Sequence, residues 1–501
     1  MCIRDRSHTE LEQDLCTFLD ESPSPWHGAD SARRRLEAAG YIRLQETEHW
    51  HFAAGKYYVM RGGSAIVAFR IPASPVHGWK IALAHSDSPS WRVKGLDGQP
   101  AAGYTRLPVE GYGGMIRYSW LDRPLGLAGR AVVRRGDVIE TRLVNLAEDL
   151  LIIPSLAIHM QRDVNTGHNF NPAVDLQPLY GPEGALPLRS LLAQRLDVAP
   201  DDLLAADLNL VPRQKAVRLG PEGEYLAAPR IDDLECAWAT LLGFLSGPED
   251  SPAAWCLLDH EEVGSGSRQG AQSDFVQAVL TRAILAQGGD AQHAAQAVAG
   301  SFALSADNAH ARHPNFPEVS DKAANVVLNG GVVLKYAASQ KYTTDGLTGA
   351  VFTELMRRAD IPVQVYTNRA DQPGGSTLGN LLTHTMCVPM VDIGAAQLAM
   401  HSAVETTGAK DAAYLAGACK AFYCSDLHCV REGVYSLTGE TATPDEVRVY
   451  RSPETPQAPA PVADEEATRT FDRPAPAPEA APEQTSADPK LDEFDTPIFF
   501  Q

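Results

Sequence analysis

Four short clusters place a histidine or a carboxylate directly after an apolar run: Ala84-His85-Ser86-Asp87, Asp259-His260-Glu261-Glu262, Ser305-Ala306-Asp307 and Ala399-Met400-His401-Ser402. A further cluster, Arg230-Ile231-Asp232-Asp233, opens a later segment. In an open α/β sheet, a residue just past an apolar strand sits at the carboxyl edge, where sites are assembled. Imidazoles mixed with carboxylates suit a pair of zinc or similar divalent ions, which in two-metal hydrolases lie about 3.5–4 Å apart.

Charge arithmetic points the same way. If Asp232, Glu262 and Asp307 converged alone, repulsion and desolvation would keep some of them protonated. Two divalent cations remove the conflict: a shared carboxylate bridges them, and a further carboxylate and a histidine complete each side. Water between them would have its pKa lowered toward neutrality. The adjacent pair Glu261-Glu262 lets one carboxylate ligate while its free neighbour takes the proton of that water. Asp87, close behind His85, is placed to hold the imidazole's second nitrogen. Spacing alone does not rank these residues above Asp233, His260, His310 and His313, since a lone histidine after a strand is more often structural.

The elements that must position these groups are legible as hydrophobic patterns. From Leu11 to Gly40 the apolar residues recur at helical spacing around Leu15, Phe18, Leu19 and Leu36, with SPSP between them, which predicts two helices. Residues 79–84, WKIALA, suit a buried strand emptying into a polar loop. Residues 95–230 change character, with frequent Gly and Pro and β-rich runs such as Arg130-Ala-Val-Val-Arg and Asp137-Val-Ile-Glu-Thr-Arg-Leu-Val. This predicts an inserted β-rich domain. From Ile231 onward helical stretches alternate with Trp255-Cys-Leu-Leu, Phe302-Ala-Leu-Ser, Val363-Gln-Val-Tyr and Met386-Cys-Val-Pro-Met-Val. The expected fold is therefore α/β, with a mixed, largely parallel central sheet flanked by helices. Its catalytic domain comprises residues 7–94 and 231–430, interrupted by the insert.

The 501 residues, 44% hydrophobic and 21% charged, suffice for more than one domain. No apolar run approaches the roughly 18 residues a membrane span needs, and the N-terminus lacks a secretory pattern, which places the protein in the cytoplasm. A formal net charge of -20 argues against nucleic acid and anionic membrane as partners. The eight cysteines are scattered without a CxxC pair, against a disulfide framework or a thiolate zinc site, and most read as small buried hydrophobes. MCIRDR at the start matches neither the adjoining residues nor a targeting pattern and reads as translated sequencing adapter. Nine prolines among residues 451–490 predict disorder over 451–501, and the last residues, from Leu491, form a candidate docking peptide for an unknown partner.

At the chemical clusters the sequence resembles the M18 metallopeptidases, the aspartyl aminopeptidase family, from about Leu11 to Tyr423. The matching stretches are AHSDSPSWRVKG (84–95), GYGGMIRYSWLDRPLGLAGR (111–130), AIHMQRD (157–163), PRIDDLE (229–235), DHEEVGSGSRQGAQS (259–273), SADNAHARHPNF (305–316), NRADQPGGSTLGN (368–380) and VDIGAAQLAMHSAVE (391–405). The resemblance implies His85, Asp232, Glu262, Asp307 and His401 as metal ligands, with Asp232 bridging, and Glu261 as catalytic base. It implies two Zn2+ per subunit, with Mn2+ or Co2+ as substitutes, and hydrolysis of the N-terminal residue from peptide substrates.

The same resemblance implies a homo-oligomer, a dodecameric shell built from dimers through the insert. It also implies that His159 reaches a neighbouring subunit's active site to stabilise the oxyanion. Lys335, in GGVVLKYAASQKY, resembles the lysine that favours Asp or Glu at the substrate N-terminus, while some relatives prefer neutral residues. GGSTLGN lacks the GxxxxGK pattern of a phosphate loop and reads as backbone shaping the substrate site. Two features depart from the family pattern: the tail, and a proline in GYGGMIRYSWLDRP where an acidic residue is common. The competing readings are a neutral-residue aminopeptidase of the same family, a catalytically silent oligomeric scaffold, and a related dizinc peptidase with another assembly.

Overall fold

The computed structural model describes residues 8–438; the readings of MCIRDR and of the 451–501 tail lie outside the described residues. A nine-stranded sheet forms the centre, in the order Ile42–Leu44, Gly55–Arg61, Ala65–Ile71, Ala253–Leu258, Lys80–His85, Phe302–Ala306, Met390–Gly394, Val332–Tyr336, Val363–Thr367. The run from Ala253–Leu258 to Met390–Gly394 is parallel throughout. Antiparallel pairing enters only on the flanks, at Gly55–Arg61, Ala65–Ile71 and Val332–Tyr336.

The central strands are continuous apolar runs because both faces of the sheet are covered. Trp255 and Leu257 point into one core and Ala254, Cys256 and Leu258 into the other, the two-residue alternation of an extended chain. The first core packs beneath the N-terminal helices His8–Glu21 and Pro25–Ala38 and the helices Ile231–Ser246 and Asp411–Cys424. Ile231–Ser246 is apolar around most of its circumference, as a helix enclosed on all sides must be. The second core lies under Phe275–Ala286, Ala291–Ala299 and Leu378–Leu382. The SPSP break holds: Ser24, with extended backbone, stands just before the second helix and Pro25 opens it, where a missing N–H leaves no bond unmade.

The insert carries its own five-stranded sheet, ordered Val138–Leu151, Leu125–Arg135, Leu203–Pro212, Ser90–Val93, Val109–Tyr112, antiparallel throughout. Its long hairpin reverses at Gly136, whose φ of 62° suits a residue without a side chain. Ser90–Val93 belongs to the insert's sheet, whereas Val217–Leu219 and Tyr225–Ala228 join a separate sheet with Glu405–Gly408. Among the described residues no cysteine forms a disulfide; Cys236, Cys256 and Cys419 are buried, but Cys387 and Cys424 are exposed, against the expectation that most are core residues. Among the described residues no helix is long and apolar enough to cross a membrane.

Candidate metal centre

Because Lys80–His85, Ala253–Leu258 and Phe302–Ala306 are neighbouring parallel strands, their carboxyl ends open on one edge. His85 ends the first, the turn Glu261–Val263 follows the second, and Asp307 follows the third. Asp232 arrives differently. Arg230 takes a left-handed φ of 61°, and Asp232 and Asp233 are non-helical, joined by a cis peptide, before the helix proper begins. The Arg230 guanidinium fastens this turn to the N-terminal helix, donating to the carbonyls of Ser22 at 2.9 Å and Leu19 at 3.2 Å. His401, with φ of 67°, follows the short strand Ala396–Leu398.

The two oxygens of Asp232 face two imidazoles: Oδ1 lies 3.5 Å from His85 Nε2 and Oδ2 lies 3.3 Å from His401 Nε2. His401 Nε2 is also 3.4 Å from Glu262 Oε1. Ligand atoms of His85, Asp232, Asp233 and Asp307 all lie within 4.8 Å of one another, and so do those of Asp232, Glu262 and His401. These two groups overlap at Asp232. Each imidazole is held by its far nitrogen: His85 Nδ1–H donates to the Asp87 carbonyl at 3.0 Å and His401 Nδ1–H to the Gly114 carbonyl at 2.7 Å. Both Nε2 atoms are thereby turned inward.

The donor set fits divalent cations. Asp232 Oδ1, Asp233 Oδ1 and Glu262 Oε1 are buried without a hydrogen-bond partner among the described residues. Burial, followed by repulsion from Asp307, Asp87 and Asp232, pushes Glu261 up to about 8 against the pull of His85. Burial likewise holds Glu262 and Asp233 well above the usual carboxylate range. Asp232 and Asp87 are instead held low: against burial, the facing imidazoles of His401 and His85 favour the charged form of Asp232, and His85 with the Tyr112 hydroxyl that of Asp87. So many buried carboxylates beside inward-facing imidazoles carry a desolvation cost that bound cations would offset. The groups that could hold a cation are His85 with Asp232, Asp233 and Asp307, His85 with Glu261 and Glu262, and Asp232 with Glu262 and His401.

The structure thus brings together the proposed ligands and Glu261. Asp87 is adjacent, with one difference from expectation: His85 meets its carbonyl, while the nearer carboxylate oxygen lies 3.4 Å from Nδ1. That carboxylate is occupied by the backbone N–H groups of Glu261 and Glu262, each at 3.1 Å, and by the Tyr112 hydroxyl at 2.6 Å. Lys335 is buried, only 1% exposed. Its ammonium donates to the Asp307 carbonyl at 2.7 Å, and Asp307 holds it charged despite burial. His159 belongs to none of these groups; it lies on the exposed stretch 154–160. His260 turns to Ser267 Oγ at 2.7 Å, which marks it as structural. Sequence reasoning missed Glu405, whose oxygens accept the backbone N–H groups of Asp232 and His401. The only signal was a carboxylate in MHSAVE, one helical turn after a candidate ligand.

Fold and site together define a metal-dependent hydrolase built on a three-layer α/β sheet. The family model described as aminopeptidase I zinc metalloprotease (M18) matches residues 18–423. The chain belongs to this M18 family of zinc metalloproteases. It is 38% identical over 430 residues to the probable M18 family aminopeptidase 2 of Clostridium novyi, covering 83% of this chain and 99% of that protein. The corresponding protein of Streptomyces coelicolor is 40% identical over 429 residues, at 83% and 98% coverage. Among solved structures, Ape4 in its complex with Nbr1 superimposes with a TM-score of 0.80 at 32% identity, covering 83% of this chain and 86% of that one. The S. cerevisiae mApe1 dodecamer gives 0.73 at 27% identity, with 83% and 96% covered.

Proposed function

We propose that this M18 aminopeptidase works with two zinc ions per subunit and Glu261 as general base, and that it prefers Asp or Glu at the substrate N-terminus. The observation that carries the reading is the disposition of Asp232, whose two oxygens each face a different inward-turned imidazole. Two bound zinc ions would supply Lewis acidity and a water of lowered pKa, with Mn2+ or Co2+ as substitutes. The chain's own part falls to Glu261, which takes the proton of the attacking water and passes it to the leaving amine. Asp87 supports this by fixing the backbone that carries Glu261 and Glu262. The cavity beside Met400, bounded by Tyr366, Asn368, Gly374 and Gly375, is the space for the substrate's first residues.

Assembly into a homo-oligomer, a dodecamer built from dimers, is supported by the insert's exposed apolar residues Val138, Ile139, Leu156, Ile158 and Met160. His159 sits amid this surface, so assembly would carry it toward a partner's centre. Cytoplasmic location, peptide substrates, and neither nucleic acid nor membrane as partner accord with the net charge of -20. A second reading, preference for neutral N-terminal residues, draws on Lys335, whose ammonium is already committed to Asp307. Purified full-length protein, assayed with peptide anilides bearing every N-terminal residue before and after chelation, tests the proposal. Zinc-dependent release with Asp and Glu favoured is expected; zinc-loaded protein that hydrolyses none of them overturns it.

A further inference from the structure

The insert reaches the metal centre through residues 112–116, which run from the strand Val109–Tyr112 to the short turn Arg117–Trp120. On one side the Tyr112 hydroxyl donates to Asp87 Oδ2 at 2.6 Å. The same carboxylate accepts the backbone N–H groups of Glu261 and Glu262, each at 3.1 Å. On the other side the Gly114 carbonyl takes the His401 Nδ1 proton at 2.7 Å, and Ile116 N–H donates to the His401 carbonyl at 3.0 Å. Between these points Gly113 adopts φ of 73°, and a Cβ there would stand 3.0 Å from that of Glu262. The Arg92 guanidinium, 5.0 Å from the centre of the Tyr112 ring, steadies the aromatic body.

We propose that Tyr112 is a positioning residue and that 112–116 is a strap setting the Glu261–Glu262 pair and His401 in register across the centre. This rests on the reading of Glu261 as base and of Glu262 and His401 as ligands. Tyr112 acts through Asp87. A buried carboxylate with three donors has one orientation; with a donor removed it is free to rotate, and the turn it holds drifts with it. The His401 ring is fixed by the same strap from the opposite side, so the seating of the insert is transmitted to both halves of the centre within one chain.

Tyr112→Phe keeps the ring and loses only the hydroxyl. In full-length, zinc-loaded protein its kcat is expected to fall roughly 10–100-fold with KM within about twofold of wild type. The absorption bands of the Co2+-substituted variant are expected to shift, a readout independent of turnover. Tyr112→Leu, which also removes the ring, separates bonding from packing. A Phe variant equal to wild type in kcat and in cobalt spectrum overturns the proposal, and so does impairment confined to Leu. Gly113→Ala, which crowds Glu262, is expected to lose zinc to a chelator at lower concentration than wild type; unchanged retention counts against the strap. If wild type itself lacks metal-dependent hydrolysis, the reading of the centre falls instead, while the cobalt spectra still decide whether Tyr112 positions it.

Discussion

Glu405 holds Asp232 by the backbone: its Oε2 accepts the Asp232 N–H at 3.0 Å while Oε1 accepts that of His401 at 2.6 Å. One carboxylate thereby fixes the spacing between Asp232 and His401, two members of one candidate cation group. Glu405→Gln replaces an accepting oxygen with an amide N–H that must face another N–H. Zinc affinity is expected to drop about 10–100-fold. Equilibrium dialysis at graded zinc concentration measures this, and an unchanged dissociation constant would refute it.

Glu261→Gln preserves shape but cannot take a proton. Its kcat is expected to fall by roughly 10²–10⁴-fold while zinc content stays at the wild-type level. Elemental analysis beside single-turnover kinetics distinguishes the outcomes: loss of zinc would make Glu261 a ligand rather than a base.

Lys335→Met removes the buried cation next to Asp307. The preference for Asp over Leu at the substrate N-terminus is expected to shrink about tenfold or more, the worth of a charge-assisted contact. Competition between Asp- and Leu-terminated substrates reads the ratio directly. An unaltered ratio would leave Lys335 as support for Asp307 only.

Glu235 is fully buried, accepts from Asn308 Nδ2 at 2.9 Å, and is pushed up to about 8 by burial and then by Asp411. A carboxyl whose folded pKa is raised binds its proton more tightly in the fold. Its stabilising effect is complete below the unfolded value near 4.5 and is lost as pH rises through about 8. Glu235→Gln lacks this proton. Between pH 5 and 8 the wild type is expected to lose a few kcal/mol relative to the variant, read from denaturation midpoints. Parallel curves would show that Glu235 keeps its charge in the fold.

Much of the centre was legible because parallel strands buried on both faces end abruptly. His85, Glu261, Glu262 and Asp307 each follow such a run, and strand adjacency brings them to one edge. Other relations were not legible, for definite reasons. Asp232 comes from a turn delivered by a different sheet, so its convergence depends on pairings between distant segments such as Ala228 with Glu405. Spacing cannot tell the carbonyl of Asp87 from its carboxylate. Nothing in the motif around Lys335 tells that its ammonium is buried against the Asp307 carbonyl. Tyr112 stands in a glycine-rich stretch whose contacts are all long-range, and the insert's limits depend on which partner Ser90–Val93 and Tyr225–Ala228 choose.

Position along the chain has a last implication. The side chains gathered at the centre stretch from His85 to His401, and Glu405, which braces the final one, comes later still. A polypeptide still leaving the ribosome, or a fragment cut ahead of His401, possesses at most a partial nest for cations.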